Sequence, residues 1–255
     1  MTPSTIRARW DEVRVGFMIL TRIPVGKLQG EASAMAASAW SWPVIGMVIG
    51  GLSALTWWVA LCLGLPPSLA ATLALLTGVL TTGGLHEDGL ADLFDGFGGG
   101  RDKTRVLEIM RDSRIGSYGV LALGFSLLIR VLALASLDAC TGVWALIGLG
   151  AACRAGLPAA IGLMPAARSD GLGRAASGVG RRAILVALAL GLAALFPLGT
   201  ASAFVASIAI AAASIAVGLS ANARIGGQTG DVLGAMSQLG EVAGWLALSA
   251  LLSAA

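Results

Sequence analysis

Long apolar runs alternate along the chain with short polar ones. A helix needs about 20 consecutive, mostly apolar residues to cross about 30 Å of hydrocarbon. Seven stretches approach that length: Pro43–Leu65, Ser68–Leu85, Tyr118–Leu137, Val143–Met164, Ala183–Leu198, Ala203–Ala221 and a last one from Val242 to the C-terminus. The fifth and the last are short, so six spans is the alternative count. Ahead of them Ile6, Trp10, Val13, Phe17 and Leu20 recur at helical spacing, with Arg7, Arg9, Asp11, Glu12 and Arg14 elsewhere around the helix. That pattern predicts an N-terminal amphipathic helix, lying in the membrane interface or packed on the protein's own surface, and not a cleavable signal peptide. Small residues such as Gly46, Gly50, Gly51, Gly148, Ala151, Ala152 and Ala155 let helix backbones approach closely and predict a tight bundle. The expected fold is all-α, a polytopic integral membrane bundle forming one domain over 1–255. Within it, 1–42 is an N-terminal cytoplasmic or interfacial segment, 86–116 an acidic and basic loop, and 222–241 a Gly-rich loop.

Composition agrees with the pattern. Hydrophobic residues make up 56% of the chain and charged ones 12%, against about 25% charged in a soluble domain; mean hydropathy is +0.85. Cys62, Cys140 and Cys153 show no CxxC spacing, which excludes a zinc or disulfide framework of that type. The 17 basic and 14 acidic residues are intermixed, with no Lys/Arg tract, so nucleic acid is not an expected partner. Arg7, Arg9, Arg14, Arg22 and Lys27 precede the first span. Arg101, Lys103, Arg105, Arg111 and Arg114 follow the second, Arg168, Arg174, Arg181 and Arg182 the fourth, and Arg224 the sixth. The intervening loops hold no Lys or Arg, so the positive-inside rule places the charged loops in the cytoplasm of a bacterial inner membrane. Only Arg130 and Arg154 fall well inside the expected spans, and no acid does. A transporter would place ionisable groups there, so the distribution favours a cytoplasm-facing membrane enzyme.

The chemistry-bearing residues cluster in those polar loops. If a helix continues from Leu85 to Phe97, Asp88, Asp92 and Asp95 share one stripe at i, i+4 and i+7. Three carboxylates on one stripe call for a compensating cation, and Mg²⁺ favours a few carboxylates plus phosphate oxygens. The alternative is a solvated acidic helix end paired with Arg101, Lys103 and Arg105. His86, the single histidine, is a candidate general base, cation ligand or helix-end group, and Glu87 points off the stripe. Arg111, Ser113 and Arg114 precede an expected helix N-terminus and suit an anionic phosphate. Arg224, Gly226, Gly227, Gln228 and Thr229 form a Gly-rich turn able to cradle phosphate, and Asp231 is a further candidate cation ligand. Ala167 to Gly173 is a weaker fourth motif.

Taken in order, Thr21-Arg22-Ile23-Pro24-Val25, Trp42-Pro43-Val44-Ile45-Gly46, Gly83 to Asp92, Arg111 to Gly119 and Gly226 to Ala235 resemble the cobalamin synthase family, the adenosylcobinamide-GDP ribazoletransferases. Gly26, Glu87 and Ser169-Asp170 depart from that family's usual pattern. The resemblance implies that adenosylcobinamide-GDP and α-ribazole, or its 5′-phosphate, are joined with release of GMP in a Mg²⁺-dependent reaction. It assigns Asp88, Asp92, Asp95 and Asp231 to Mg²⁺, with His86, Asp88 and Asp92 catalytic. A homo-oligomer and contacts with other B12-assembly enzymes are compatible with it. Two other readings stay open: a membrane phosphotransferase acting on CDP-alcohols or prenyl diphosphates, and a corrinoid transporter or scaffold subunit.

Overall fold

The structure, a computed structural model, describes residues 3–26, 35–168 and 178–252. Lys27, Ser169, Asp170, Arg174 and most of the fourth motif lie outside the described residues. The described α-helices of seven residues or more are α1 (Pro3–Leu20), α2 (Trp42–Cys62), α3 (Pro67–Thr82), α4 (Leu85–Gly99), α5 (Lys103–Ile109), α6 (Ser117–Ala135), α7 (Ala139–Ala155), α8 (Leu157–Leu163), α9 (Arg181–Leu195), α10 (Thr200–Ile225) and α11 (Gly230–Leu252). Among the described residues the only β pairing is an isolated parallel bridge between Ala166 and Gln228. Six segments are long and apolar enough to cross a membrane: Met35–Cys62, Ser117–Ala135, Ala139–Leu163, Arg181–Leu198, Thr200–Ile225 and Gly230–Leu252. α3 and α4 supply a seventh if their bent pair is one span, so the chain forms an all-α polytopic bundle.

Two expected boundaries change. The second span does not run on into the acidic stretch, because the chain turns by 89° between α3 and α4. Gly83 and Gly84 have φ of +70° and +74°, the left-handed region that residues with a Cβ enter at a cost. Gly84 N–H closes the end of α3 on the Val79 carbonyl at 2.9 Å, and the Gly84 carbonyl accepts Asp88 N–H at 2.8 Å to begin α4. α4 therefore lies across one end of the bundle. The final helix begins at Gly230, well before Val242. The stretches 86–116 and 222–241, expected as loops, are mainly helical, with short links at 100–102, 110–116 and 226–229.

Backbone contact between α2 and α7 follows from their glycines. A Cβ on Gly46 would stand 2.7 Å from the Gly150 carbonyl carbon and 2.9 Å from Ala151 Cα, and one on Gly50 would stand 2.8 Å from Ile147 Cα. Gly51, also expected at an interface, has open space around it. Gly46→Ala should therefore overpack the crossing and destabilise the bundle by about 1–3 kcal/mol. Gly51→Ala should be neutral or slightly stabilising through helix propensity. Thermal unfolding of the two variants in detergent compares them.

Outside, large apolar side chains are exposed along the long helices, among them Leu55, Trp58, Leu121, Phe125, Leu185, Phe204 and Leu219, as lipid contact requires. α1 divides along its length. Ile6 and Trp10 are exposed, whereas Val15 and Leu20 are buried and Phe17 packs on the core. Its anchor is Glu12, which accepts Trp40 Nε1–H at 2.6 Å and Arg9 Nη1–H at 2.7 Å.

Candidate active site

α4 rests on the start of α11 through two glycines. A Cβ on Gly89 would lie 3.0 Å from Asp231 Cα and 3.2 Å from Gly234 Cα, so only small residues allow this crossing. The approach brings Asp231, in the first turn of α11, beside the Asp88–Asp92 face of α4. Asp88 is exposed and Asp92 and Asp231 are half-buried. A cavity of about 100 Å³ beneath them is lined by Asp88, Asp231, His86 and the apolar side chains of Leu20, Trp42 and Leu157.

The Gly-rich turn is built to hold Asp231. Gly226 ends α10 with φ +75°, and Gly227 follows at φ +154° with the Pro165 carbonyl where a side chain would stand. Gln228 N–H then donates to Pro165 O at 2.8 Å and the Gln228 carbonyl accepts Ala167 N–H at 2.9 Å. This pins the turn to residues 165–168. Gln228 and Thr229 are buried, so their side chains shape the turn. Thr229 Oγ1–H donates to Asp231 Oδ2 at 3.2 Å. Arg168, part of the weaker fourth motif and given no role of its own there, lies 3.5 Å from the same oxygen.

Asp95 has a different job from its stripe partners. Its Oδ2 accepts Gly116 N–H at 2.7 Å and its Oδ1 accepts Gly119 N–H at 2.9 Å. The helix N-terminus expected to receive a phosphate is thus α6, and the anion already seated there is Asp95. Arg114 is 87% exposed and forked onto Asp112, with Nη2–Oδ2 at 2.7 Å and Nε–Oδ1 at 3.1 Å. That guanidinium holds the Asp112 carboxyl down at about 2. Arg111 and Ser113 stand exposed on the same turn. Arg224 Nη1–H donates to the Phe97 carbonyl at 2.6 Å and its guanidinium lies 5.0 Å over the Phe97 ring, where it caps the end of α4.

Asp92 is pushed up to about 7, by burial first and then by the charges of Asp88, Asp231 and Asp95, with Arg168 opposing. Among the described residues no group of three or more His, Cys, Asp or Glu side chains is placed to hold a metal ion by itself. The donor set nonetheless fits Mg²⁺, which takes oxygen ligands and is commonly bound by one or two carboxylates, with waters and substrate phosphates completing the shell. Repulsion concentrated on Asp92 is what such a cation would relieve.

His86 turns away from the stripe. It is buried, with Nδ1 facing Arg154 Nη2 at 3.5 Å. Glu87, off the stripe as expected, is half-buried behind α4, where its Oε1 accepts Gln238 Nε2–H at 2.8 Å and stands 3.5 Å from Arg130 Nη1. Glu241, in α11, pairs with Arg130 Nη2 at 2.9 Å, so the bundle does carry an intramembrane acid.

A family model described as cobalamin-5-phosphate synthase matches residues 12–249. The chain belongs to the cobalamin-5-phosphate synthase family. Among similar members of this family, adenosylcobinamide-GDP ribazoletransferase of Bradyrhizobium diazoefficiens is 45% identical over 244 residues, covering 93% of each chain. The protein of the same name from Mesorhizobium japonicum is 42% identical over 95% of this chain and 94% of its own. That of Azorhizobium caulinodans is 46% identical over 80% of this chain and 81% of its own. No solved structure matches the chain. Membership in the cobalamin-5-phosphate synthase family favours the B12 reading over the lipid phosphotransferase and the transporter or scaffold subunit.

Proposed function

We propose that this chain transfers the adenosylcobinamide-phosphate group of adenosylcobinamide-GDP to a free ribose hydroxyl of α-ribazole or of its 5′-phosphate, releasing GMP. The observation that carries the reading is the convergence of Asp88, Asp92 and Asp231 at one end of a membrane bundle whose sequence matches the family over 12–249. The bond from the acceptor ribose oxygen to the phosphorus attached to cobinamide forms as the bond from that phosphorus to the GMP oxygen breaks. Such transfer depends mainly on positioning and on stabilising charge at the phosphate oxygens.

Asp88, Asp92 and Asp231 would hold Mg²⁺, with Asp95 nearby but engaged with α6. When bound, Mg²⁺ supplies positive charge to the phosphate oxygens. Arg168 keeps Asp231 aimed at α4. Arg111 and Ser113 are exposed for pyrophosphate contact, and Arg114 joins them by leaving Asp112. Gly226 and Gly227 let the turn fold against residues 165–167 and so fix where α11 and Asp231 begin. His86, facing Arg154, is assigned to holding α4, and the hydroxyl proton goes to a carboxylate of the stripe or to water. The arginines of residues 101–114 and 168 and Arg224 support a cytoplasmic orientation of this end in the inner membrane.

The purified chain, given adenosylcobinamide-GDP with α-ribazole or α-ribazole 5′-phosphate, should release one GMP for each lower-ligand-containing corrinoid formed, both read by chromatography. Absence of the joined corrinoid, or GMP release that needs no acceptor, would contradict the reading.

A further inference from the structure

Behind α4, on the side away from the carboxylate face, lies a buried polar cluster that the proposed chemistry does not use. Arg130 in α6 donates from Nη1 to Gln238 Oε1 at 2.8 Å and from Nη2 to Glu241 Oε1 at 2.9 Å. Gln238 passes its own Nε2–H to Glu87 at 2.8 Å. Arg154 in α7 donates to the Gly150 carbonyl at 2.8 Å and faces His86 at 3.5 Å. Glu87 and His86 belong to α4, Gln238 and Glu241 to α11.

Two arginines balance two glutamates, so the cluster is neutral overall. A buried ion cluster often contributes no more stability than well-packed apolar residues, and in some proteins its role is to fix one arrangement over others. The α4–α11 crossing needs such a device. At its closest point Gly89 meets Asp231 and Gly234 backbone to backbone, and the side chains beside it, Leu90 and Leu93 with Val232 and Leu233, are apolar, without the directional bonds that fix a rotation. Carboxylates sit roughly 5–6 Å from a helix axis, so a 20° rotation of α4 would carry Asp88 and Asp92 about 2 Å. Mg²⁺–oxygen distances tolerate only about 0.2 Å.

The cluster sits where it can prevent that rotation. Glu87 is the residue before Asp88. Gln238 follows Asp231 by seven residues, on the same face of α11. Arg130 belongs to the helix whose start Asp95 holds. We propose that Glu87, Gln238 and Arg130 are positioning residues that lock the rotation of α4 against α11 and so set the spacing of Asp88 and Asp92 from Asp231. The inference rests on the cation reading of those three aspartates.

The test is the Mg²⁺ dependence of GMP release by the full chain in detergent, with thermal unfolding confirming that each variant is folded. Gln238→Leu and Glu87→Leu should raise the Mg²⁺ concentration for half-maximal rate by about 10- to 100-fold, the usual scale for residues supporting a metal site. The rate at saturating Mg²⁺ should stay near the parent's. Glu87→Gln keeps an oxygen for the Gln238 amide and should recover most of the shift, and Arg130→Lys should recover part of the loss caused by Arg130→Met. Folded leucine variants with unchanged Mg²⁺ dependence, or with a lower rate at every Mg²⁺ concentration and no shift, would overturn the positioning role alone. A parent chain that turns over fully in EDTA would remove the cation reading and this inference with it.

Discussion

Asp92→Asn is expected to lower GMP release about 10³-fold, roughly 4 kcal/mol of lost transition-state stabilisation, while leaving the protein folded and more resistant to unfolding. The two effects have one cause. Burial first, and then the charges of Asp88, Asp231 and Asp95, push the Asp92 carboxyl up to about 7. An asparagine removes the charge that a cation would bind and also removes the repulsion. The pH sign follows from the raised value. In chain stripped of divalent cations, the favourable contribution of protonated Asp92 is complete below its ordinary value of 3.8 and is lost as pH rises through about 7. The stability advantage of Asp92→Asn should therefore grow across that interval and be small at its acidic end. Unfolding temperatures at several pH values, set beside turnover, measure both effects. A variant that is inactive because it is unfolded would contradict this account.

Arg130→Met should be the most damaging single change to the fold, costing about 3–5 kcal/mol. It leaves Glu87 and Glu241, both half-buried, without the cation between them. Combining it with Glu87→Gln and Glu241→Gln should recover much of that loss, because removing a whole buried ion cluster is close to neutral whereas breaking it is not. Yield of folded protein and unfolding temperature in detergent report the outcome. A triple variant no more stable than Arg130→Met would show that the arginine contributes through its aliphatic packing instead.

Much of this molecule was legible along the chain. Apolar runs located the long helices, and helical spacing placed Asp88 and Asp92 together. The misses have specific causes. Gly83-Gly84 gave a visible sign of a break, yet the apolar run on one side and the helical stripe on the other suggested continuity. The last helix seemed to begin at Val242 because Asp231, Gln238 and Glu241 interrupt its apolar pattern. Their partners, Arg168, Glu87 and Arg130, lie far away in sequence, so nothing local distinguishes a paired intramembrane acid from a loop acid. Asp95 joined the stripe by spacing, and only the docking of α6 revealed the two N–H groups that it accepts. The Arg114–Asp112 fork spans two residues and was within reach of sequence reasoning. The bond from Arg224 to the Phe97 carbonyl was not.

The central claim is that Asp88, Asp92 and Asp231 together bind one divalent cation at the end of the bundle. Electron paramagnetic resonance of Mn²⁺ added to the cation-stripped chain with adenosylcobinamide-GDP tests it directly. The account predicts one bound Mn²⁺ per chain, displaced by Mg²⁺ and lost in both Asp92→Asn and Asp231→Asn. Equal Mn²⁺ binding by the parent and these two variants would contradict it.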